Sequence, residues 1–262
     1  QLTLYKKDGP SLSNAPITTT NGTFTYTDNT GYKGVVIAKL IDTDNNTLDY
    51  VDEATGQGKN LGSNVMLTVV DTSASSSNVA LSINPLTTTA AVKLGVTAAT
   101  TTAASSLPDS VASTTITDTS KAVAKAFGIV DAQGNGVDIA TVQPIAVVKA
   151  DGTPNTAAVT GTDATSVASA YGRALAVISQ AEQVSNQTTN DLVTKVATAL
   201  DTSKGALTNF SSTDATVAET AAAVQSTIFQ ALAIAQLKQQ VTETQAVAVV
   251  KAVAATPIAM VV

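Results

Sequence analysis

The chain has 262 residues, of which 44% are hydrophobic, 3% aromatic and 13% charged, and its formal net charge is −6. This acidic balance argues against nucleic-acid or anionic-membrane partners, which select basic patches. Histidine and cysteine are both absent, which excludes disulfides, an imidazole general base, the Ser-His-Asp triad and most zinc or iron sites. We therefore expect a protein that is not an enzyme and has no cofactor. No apolar run is long enough to predict a membrane span.

The first part of the chain has the patterns of short strands. Leu2 and Leu4 alternate with polar residues, which places them on one face of a strand. Lys33–Ile41 is apolar enough to be a central strand. Six or seven short strands separated by turn residues predict a β-sandwich, with these segments among them: Gln1–Asp8, Gly22–Asp28, Lys33–Ile41, Thr47–Val51 and Val65–Val70.

Asn78–Gly95 joins this part to a helical part. Val79, Leu81 and Ile83 alternate with small residues, which predicts one more strand. Asn84-Pro85 ends it, because proline cannot donate to a ladder. Thr87, Thr88 or Thr89 could then cap a helix that begins at Ala90. We expect a β-domain of residues 1–90 and a helical domain of residues 91–255 that share a core.

The remaining elements are predicted from apolar spacing and caps. Thr97–Thr119 is low in complexity and is expected to be a loop. Asp163 and Asp214 are candidate helix caps, and Gln236–Gln245 could break the last helix. Pro257 ends that helix, leaving an apolar tail at 256–262. The predicted helices are Lys121–Ile129, about 163–183, about 190–200 and about 215–255.

Four ordered segments resemble a family of secreted bacterial surface and matrix proteins. They are LTLYKKDG, TTTNGTFTYTD, Tyr50–Gly56 and Asn84–Thr88, and they cover roughly Leu2–Ala91. The resemblance implies an α+β fold in which an N-terminal Ig-like (transthyretin-like) β-sandwich packs against a C-terminal Ala-rich α-helical domain. It implies a surface lipoprotein, an adhesin or a filament subunit rather than an enzyme. Related domains have a further strand before the position of Gln1, so the resemblance also predicts an open sheet edge.

One acidic segment has the spacing of a calcium-binding loop. Asp42, Asp44, Asn46 and Glu53 are oxygen donors at suitable intervals. Thr47, however, stands where such a loop needs glycine, and the flanking segments have strand patterns. We therefore favour an acidic hairpin loop without a metal ion.

Other patterns have simple structural interpretations. Gly56-x-Gly58-Lys59 lacks the spacing of a phosphate-binding loop and is interpreted as a flexible hairpin loop. Ser120 with Lys121 and Lys125 is interpreted as a helix cap and its solvated face. Arg173 is expected to pair with a carboxylate.

Possible glycan acceptors have an equally plain interpretation. Asn21 and Asn186 fit the N-glycan acceptor pattern, and Thr97–Ser106 is rich in hydroxyl groups. We interpret all three as turns and caps.

The leading hypothesis is a structural subunit of a secreted, extracellular filament or biofilm matrix, whose partner is a second copy of itself. The alternative is a monomeric cell-surface adhesin or glycan-binding module, in which loops Asp42–Glu53 and Gly56–Gly62 contact the ligand. A hydrolase using Asp131 and Asp138 is the least favoured class.

The predicted mode of assembly is strand addition. An open edge exposes unpaired backbone groups that proteins normally cover, and a terminal strand from a neighbour could cover them. Such a head-to-tail contact gives an open filament unless it closes into a ring. The preferred donor is the tail Thr256–Val262, and the alternative donor is Gln1–Lys7. The predicted contact residues are Ile258, Met260, Val261, Val262, Leu2 and Leu4.

Overall fold

The structure, a computed structural model, describes residues 1–13, 17, 24–44, 49–75, 78–96, 104–207 and 214–254. Strands and helices both occur in this part, which confirms the α+β class. The strands are β1 (Leu2–Lys6), β2 (Val35–Ile41), β3 (Tyr50–Val51), β4 (Gly58–Lys59) and β5 (Val65–Asp71). The helices are α1 (Pro85–Lys93), α2 (Ser113–Ala126), α3 (Thr156–Val159), α4 (Val167–Ser185), α5 (Thr189–Ala199), α6 (Ala215–Leu237) and α7 (Glu243–Ala254).

The described strands form one small sheet and one ribbon instead of a sandwich. The antiparallel sheet has the order β1-β2-β5, and β3 pairs with β4 separately. β2 is central, as predicted. Phe24–Asp28, by contrast, has no strand hydrogen bonds. Its contacts are of another kind: the Tyr26 hydroxyl, for example, donates a hydrogen bond to Leu12 O at 2.8 Å. The six- or seven-stranded sandwich is therefore not shown within the described ranges.

The two faces of the three-stranded sheet have different covers. Ile37 and Leu67 face α1 and α2 in a cluster with Ala91 and Ile116. Val36, Ala38 and their neighbours face irregular segments on the other side. Strand β2 thus has apolar side chains buried on both faces of the sheet, which explains why its sequence is almost continuously hydrophobic.

The segment Asn78–Ile83 is the main correction to the predicted elements. Val79, Leu81 and Ile83 do pack against the sheet, in the cluster of Leu2 and Leu4. Their backbone, however, forms no strand. Ser82 turns to the helical half, where its N–H donates to Ala140 O at 2.8 Å and its Oγ donates to Val142 O at 2.6 Å.

Helix α1 begins earlier than predicted. Asn84 caps it through its side chain, which accepts from the Leu86 and Thr87 N–H groups. The three threonines proposed as caps lie inside the helix and are buried, each 1% exposed or less. The predicted domain boundary at residue 90 falls within α1, which packs against both β5 and α5. Helix α1 therefore contributes side chains to the cores of both the β and the α parts.

The four predicted later helices correspond to α2, α4, α5 and the α6–α7 pair, whereas the short α3 was not predicted. α2 starts at Ser113, because Ile116, Thr119 and Val123 already form a buried face. Ser166 caps α4 in place of Asp163. Asp214 caps α6 as predicted. The expected break is confirmed, since α6 ends at Leu237 and Gln239 adopts a left-handed conformation with φ 58°.

Candidate functional site

The β3–β4 ribbon carries the glycine-rich segment and is tied down at its turn. Asp52 follows β3, and its Oδ1 accepts hydrogen bonds from Ala54 N and Thr55 N, both at 3.0 Å. Gly56 has φ +70°, which glycine adopts without strain. The sequence Asp-Glu-Ala-Thr-Gly therefore forms a compact side-chain-supported turn.

This turn presses against the helical half. A Cβ on Gly56 would lie 1.9 Å from Lys149 O. Gln57 Nε2 donates to Ala150 O at 2.9 Å, and Gln240 Nε2 donates to Ala54 O at 2.6 Å. The interpretation of Gly56-x-Gly58-Lys59 as part of a hairpin is confirmed, because β3 pairs with β4, and tertiary contacts support the turn of this hairpin. The same contacts cover the beginning of Gly56–Gly62, which was a candidate ligand loop.

A charged cluster lies under the ribbon. Lys59 Nζ is 2.6 Å from Glu182 Oε2 and 3.7 Å from Asp52 Oδ2. The Glu182 side chain, on α4, is 5% exposed. Burial lowers the pKa of Lys59, but the hydrogen bond and charge of Glu182 outweigh this and place the pKa above its usual value. Lys59 is therefore a protonated, paired cation and not a nucleophile.

Glu53 is the unusual member of the cluster. Although the residue as a whole is partly exposed, its carboxyl is surrounded by protein, and this burial raises its pKa to about 8. The negative charges of Asp52 and Glu182 add to the rise, and Lys59 opposes it. Glu53 is thus mainly uncharged at neutral pH. The junction of the ribbon with the helical half, at Lys59, Asp52, Glu53 and Glu182, thus brings one ammonium group and three carboxyl groups together.

The predicted calcium ligands separate in the structure. Asp42 and Asp44 lie together with Asp49, and their carboxylate oxygens are within 4.8 Å of one another. Glu53 belongs to the Lys59 cluster instead, and Asn46 lies outside the described residues. Asp42 Oδ1 accepts the Asp44 N–H at 3.0 Å, which fits the acidic-turn interpretation. The sequence pattern missed Asp49, five residues after Asp44.

Leu2 and Leu4 are buried within the chain. They are 0% and 4% exposed, in β1. The outer edge of β1 is covered, because Leu12 N–H donates to Leu4 O at 2.8 Å and Ile17 N–H donates to Leu2 O at 2.9 Å. The open edge expected beside β1 is therefore occupied by the chain itself. The tail residues Ile258, Met260, Val261 and Val262 lie outside the described residues.

The outer edge of β5 is covered by side chains. Leu67 N–H donates to Thr88 Oγ1 at 2.9 Å, and Thr87 Oγ1 donates to Leu67 O at 2.8 Å. Asn190 Oδ1 accepts the Val65 N–H at 3.2 Å. Hydroxyl and amide groups thus replace a neighbouring strand along part of β5.

The remaining candidates have structural roles. Ser120 is 3% exposed and donates to Asp138 Oδ1 at 2.6 Å. Asp131 accepts from Asn135 N at 2.8 Å within a turn. Arg173 donates to Ala158 O and Ala164 O at 2.9 and 2.8 Å, so the expected salt bridge is wrong. Asn186 is the left-handed cap of α4, as interpreted; Asn21 lies outside the described residues, as does most of Thr97–Ser106.

Helix α6 has much of its apolar surface left uncovered by the described residues. It packs against α4 and α5, yet only 28% of its most apolar stretch is buried. Glu219 is its only charged residue. Leu237 is 84% exposed, and Val247 on α7 is 45% exposed. Among the described helices, α6 alone is long and apolar enough to cross a membrane, by length and composition only.

Comparisons with known proteins found no matching family model, curated protein or solved structure. The function of the chain has therefore to be inferred from the arrangement of its own side chains.

Proposed function

We propose that this protein is a non-enzymatic structural subunit of a secreted bacterial extracellular filament or biofilm matrix, and that it assembles with copies of itself. The observation that carries the proposal is the uncovered, nearly uncharged face of α6. This face consists of small and apolar side chains and two polar uncharged ones: Ala222, Ser226, Gln230, Ala233 and Leu237. An exposed apolar surface of this kind is typical of an interaction site.

The charge distribution supports a second copy as the partner. The chain carries a net charge of −6, so two copies repel each other over most approaches. Glu219 is the single charged residue of α6, and the five residues of the face carry no charge. Contact through this face therefore desolvates few charges and brings few like charges together, which favours self-association there.

Strand addition remains our proposal for the head-to-tail contact, with Thr256–Val262 as the donor. The outer edges of β1 and β5 are both at least partly covered by the chain itself, so a donor strand has to displace the cover of one of them. α1 covers β5 with buried side chains. β1 is covered through the backbone of Pro10, Leu12 and Ile17. We favour exchange at β1, because a donor strand there reproduces the same backbone hydrogen bonds. Leu2 and Leu4 then belong to the acceptor, and Gln1–Lys7 is no longer a candidate donor.

The α6 face can be tested by adding one charge to it. Leu237→Glu changes a side chain that is 84% exposed, so the fold should be unaffected. We expect light scattering to show shorter or no assemblies for this variant. Thr194→Glu adds the same charge to an exposed site of α5 and is the matched control. Undiminished assembly of Leu237→Glu would refute the role of this face. Binding of the unmodified chain to lipid vesicles, with no self-assembly, would assign the face to a membrane instead.

A further inference from the structure

A groove of about 590 Å³ lies at the end of the three-stranded sheet. Tyr32 and Val35 line it from the start of β2, and Asp71 and Ser73 line it from the end of β5. The opposite wall is the segment 109–113, which leads into α2. The volume is within the range of small-molecule sites, which is about 300–1,000 Å³.

Lys7 lines the groove as well and holds its 109–113 wall in place. Its ammonium group donates to Asp109 O at 2.9 Å and to Val111 O at 2.8 Å. A lysine has three N–H donors, so one remains after these two bonds. Lys7, which follows β1, thus ties the 109–113 wall to the sheet.

The polar groups of the groove combine acceptors and donors. Burial raises the pKa of Asp71, but hydrogen bonds from Ser113 and Ser73 outweigh it and hold the pKa below the usual value. Asp71 is therefore ionised and accepts hydrogen bonds. Asp109 supplies a second carboxylate, and Ser73, Ser110 and Ser113 supply hydroxyls. Val35 and Val111 add apolar surface.

Charge selects the class of ligand. The lining residues supply two carboxylates and one ammonium group, and Lys6 places a second ammonium group 5.2 Å from the centre of the Tyr32 ring, so the groove has no positive excess that would select phosphates or acidic sugars. A ligand that offers many hydroxyl donors and acceptors, together with the apolar face of a ring, complements carboxylates, serines and a tyrosine. We propose that this groove binds a neutral saccharide. The site is separate from the α6 face and from the ribbon, so its function does not depend on self-assembly.

Tyr32 and Gly34 give the groove its shape. The Tyr32 hydroxyl donates to Val35 O at 3.1 Å. A Cβ on Gly34 would lie 2.8 Å from that hydroxyl oxygen. Glycine at this position therefore lets the tyrosine fold back along the groove wall.

The test is calorimetric titration of the full chain with a panel of oligosaccharides. The neutral arms are β-glucan, mannan, galactan and chitin oligomers, and the acidic arm is oligogalacturonate. We expect a neutral oligosaccharide to bind, with the acidic one weaker. Ser110→Trp should fill the groove and abolish binding, and Asp71→Asn should weaken it at least about tenfold.

Gln133→Trp, at an exposed turn elsewhere, is the control and should bind normally. Circular dichroism of each variant checks the fold. Two results would overturn the proposal: no neutral oligosaccharide binding to the unmodified chain, or binding that Ser110→Trp and Asp71→Asn leave unchanged.

Discussion

Glu53→Gln should remove a pH dependence from the stability of this protein. The charges of Asp52 and Glu182 raise the pKa of the Glu53 carboxyl, and the positive charge of Lys59 opposes that rise. Glu53 also acts on Tyr171, whose pKa is raised first by burial and then further by the Glu53 charge. Glutamine keeps the size and the neutral state of the protonated side chain but cannot ionise.

The magnitude depends on the pKa of Glu53, which is about 8 in the folded chain against 4.5 ordinarily. The folded state therefore holds a proton that the unfolded chain has released, and its stability falls as the pH rises from about 4.5 to about 8. At about 1.4 kcal/mol per unit, the full difference is at most about 5 kcal/mol. Because solvent relaxation reduces such differences, we expect about 2–5 kcal/mol.

Urea unfolding at pH 5, 7 and 9 measures this difference. The free energy of unfolding of Glu53→Gln should equal that of the unmodified chain within about 1 kcal/mol at pH 5 and exceed it by about 2–5 kcal/mol at pH 9. Glu243→Gln, at an exposed position of α7, is the control and should show no such divergence. Parallel pH profiles for the unmodified chain and Glu53→Gln would refute the argument, because Glu53 would then be ionised in the folded protein.

Three further predictions concern the contacts between the two halves of the chain and the acidic loop. The chain should melt in one calorimetric transition, because Asn84 Nδ2 donates to the Tyr171 hydroxyl at 2.6 Å across the two halves; two well-separated transitions would contradict this. Gly56→Ala should cost about 2 kcal/mol or more in thermal unfolding. Gly134→Ala is the control, because Gly134 has a similar φ but open space around it. An equal loss of stability in both variants would show that the contact with Lys149 O is unimportant. EDTA should leave the melting temperature unchanged; a drop that calcium reverses would instead assign a cation to the carboxylates around Asp42.

The sequence was most informative where a single pattern controls a whole element. The apolar runs were sufficient to predict β2 and β5, and the Asp214 cap was sufficient to predict the start of α6. Both signals are local in sequence, because a strand buried on both faces is apolar along its length and a cap lies next to its helix. The Val79–Ile83 pattern was informative in part. Its period of two correctly indicated a segment whose apolar side chains pack against the sheet. It could not show that Ser82 bonds with residues 140 and 142 instead of with a neighbouring strand.

The junction could not be predicted in the same way. Lys59 and Glu182 are far apart in sequence, and the pattern Gly56-x-Gly58-Lys59 around the lysine does not indicate a carboxylate partner. The one available signal was Glu182 itself, a carboxylate among the apolar residues of α4. The calcium pattern failed for a related reason: spacing along the chain placed Glu53 with Asp42, whereas the turn at Asp52 directs it to the Lys59 cluster.

Electron microscopy of the purified chain tests self-assembly most directly. The full chain and a truncation after Ala255 should be compared by negative staining at equal concentration. We expect fibres or extended assemblies from the full chain and dispersed, folded particles from the truncation, because the proposed donor Thr256–Val262 is missing. Dispersed particles from both would contradict the structural-subunit proposal. Fibres of normal length from both would support the structural-subunit proposal but would exclude the tail as the donor strand.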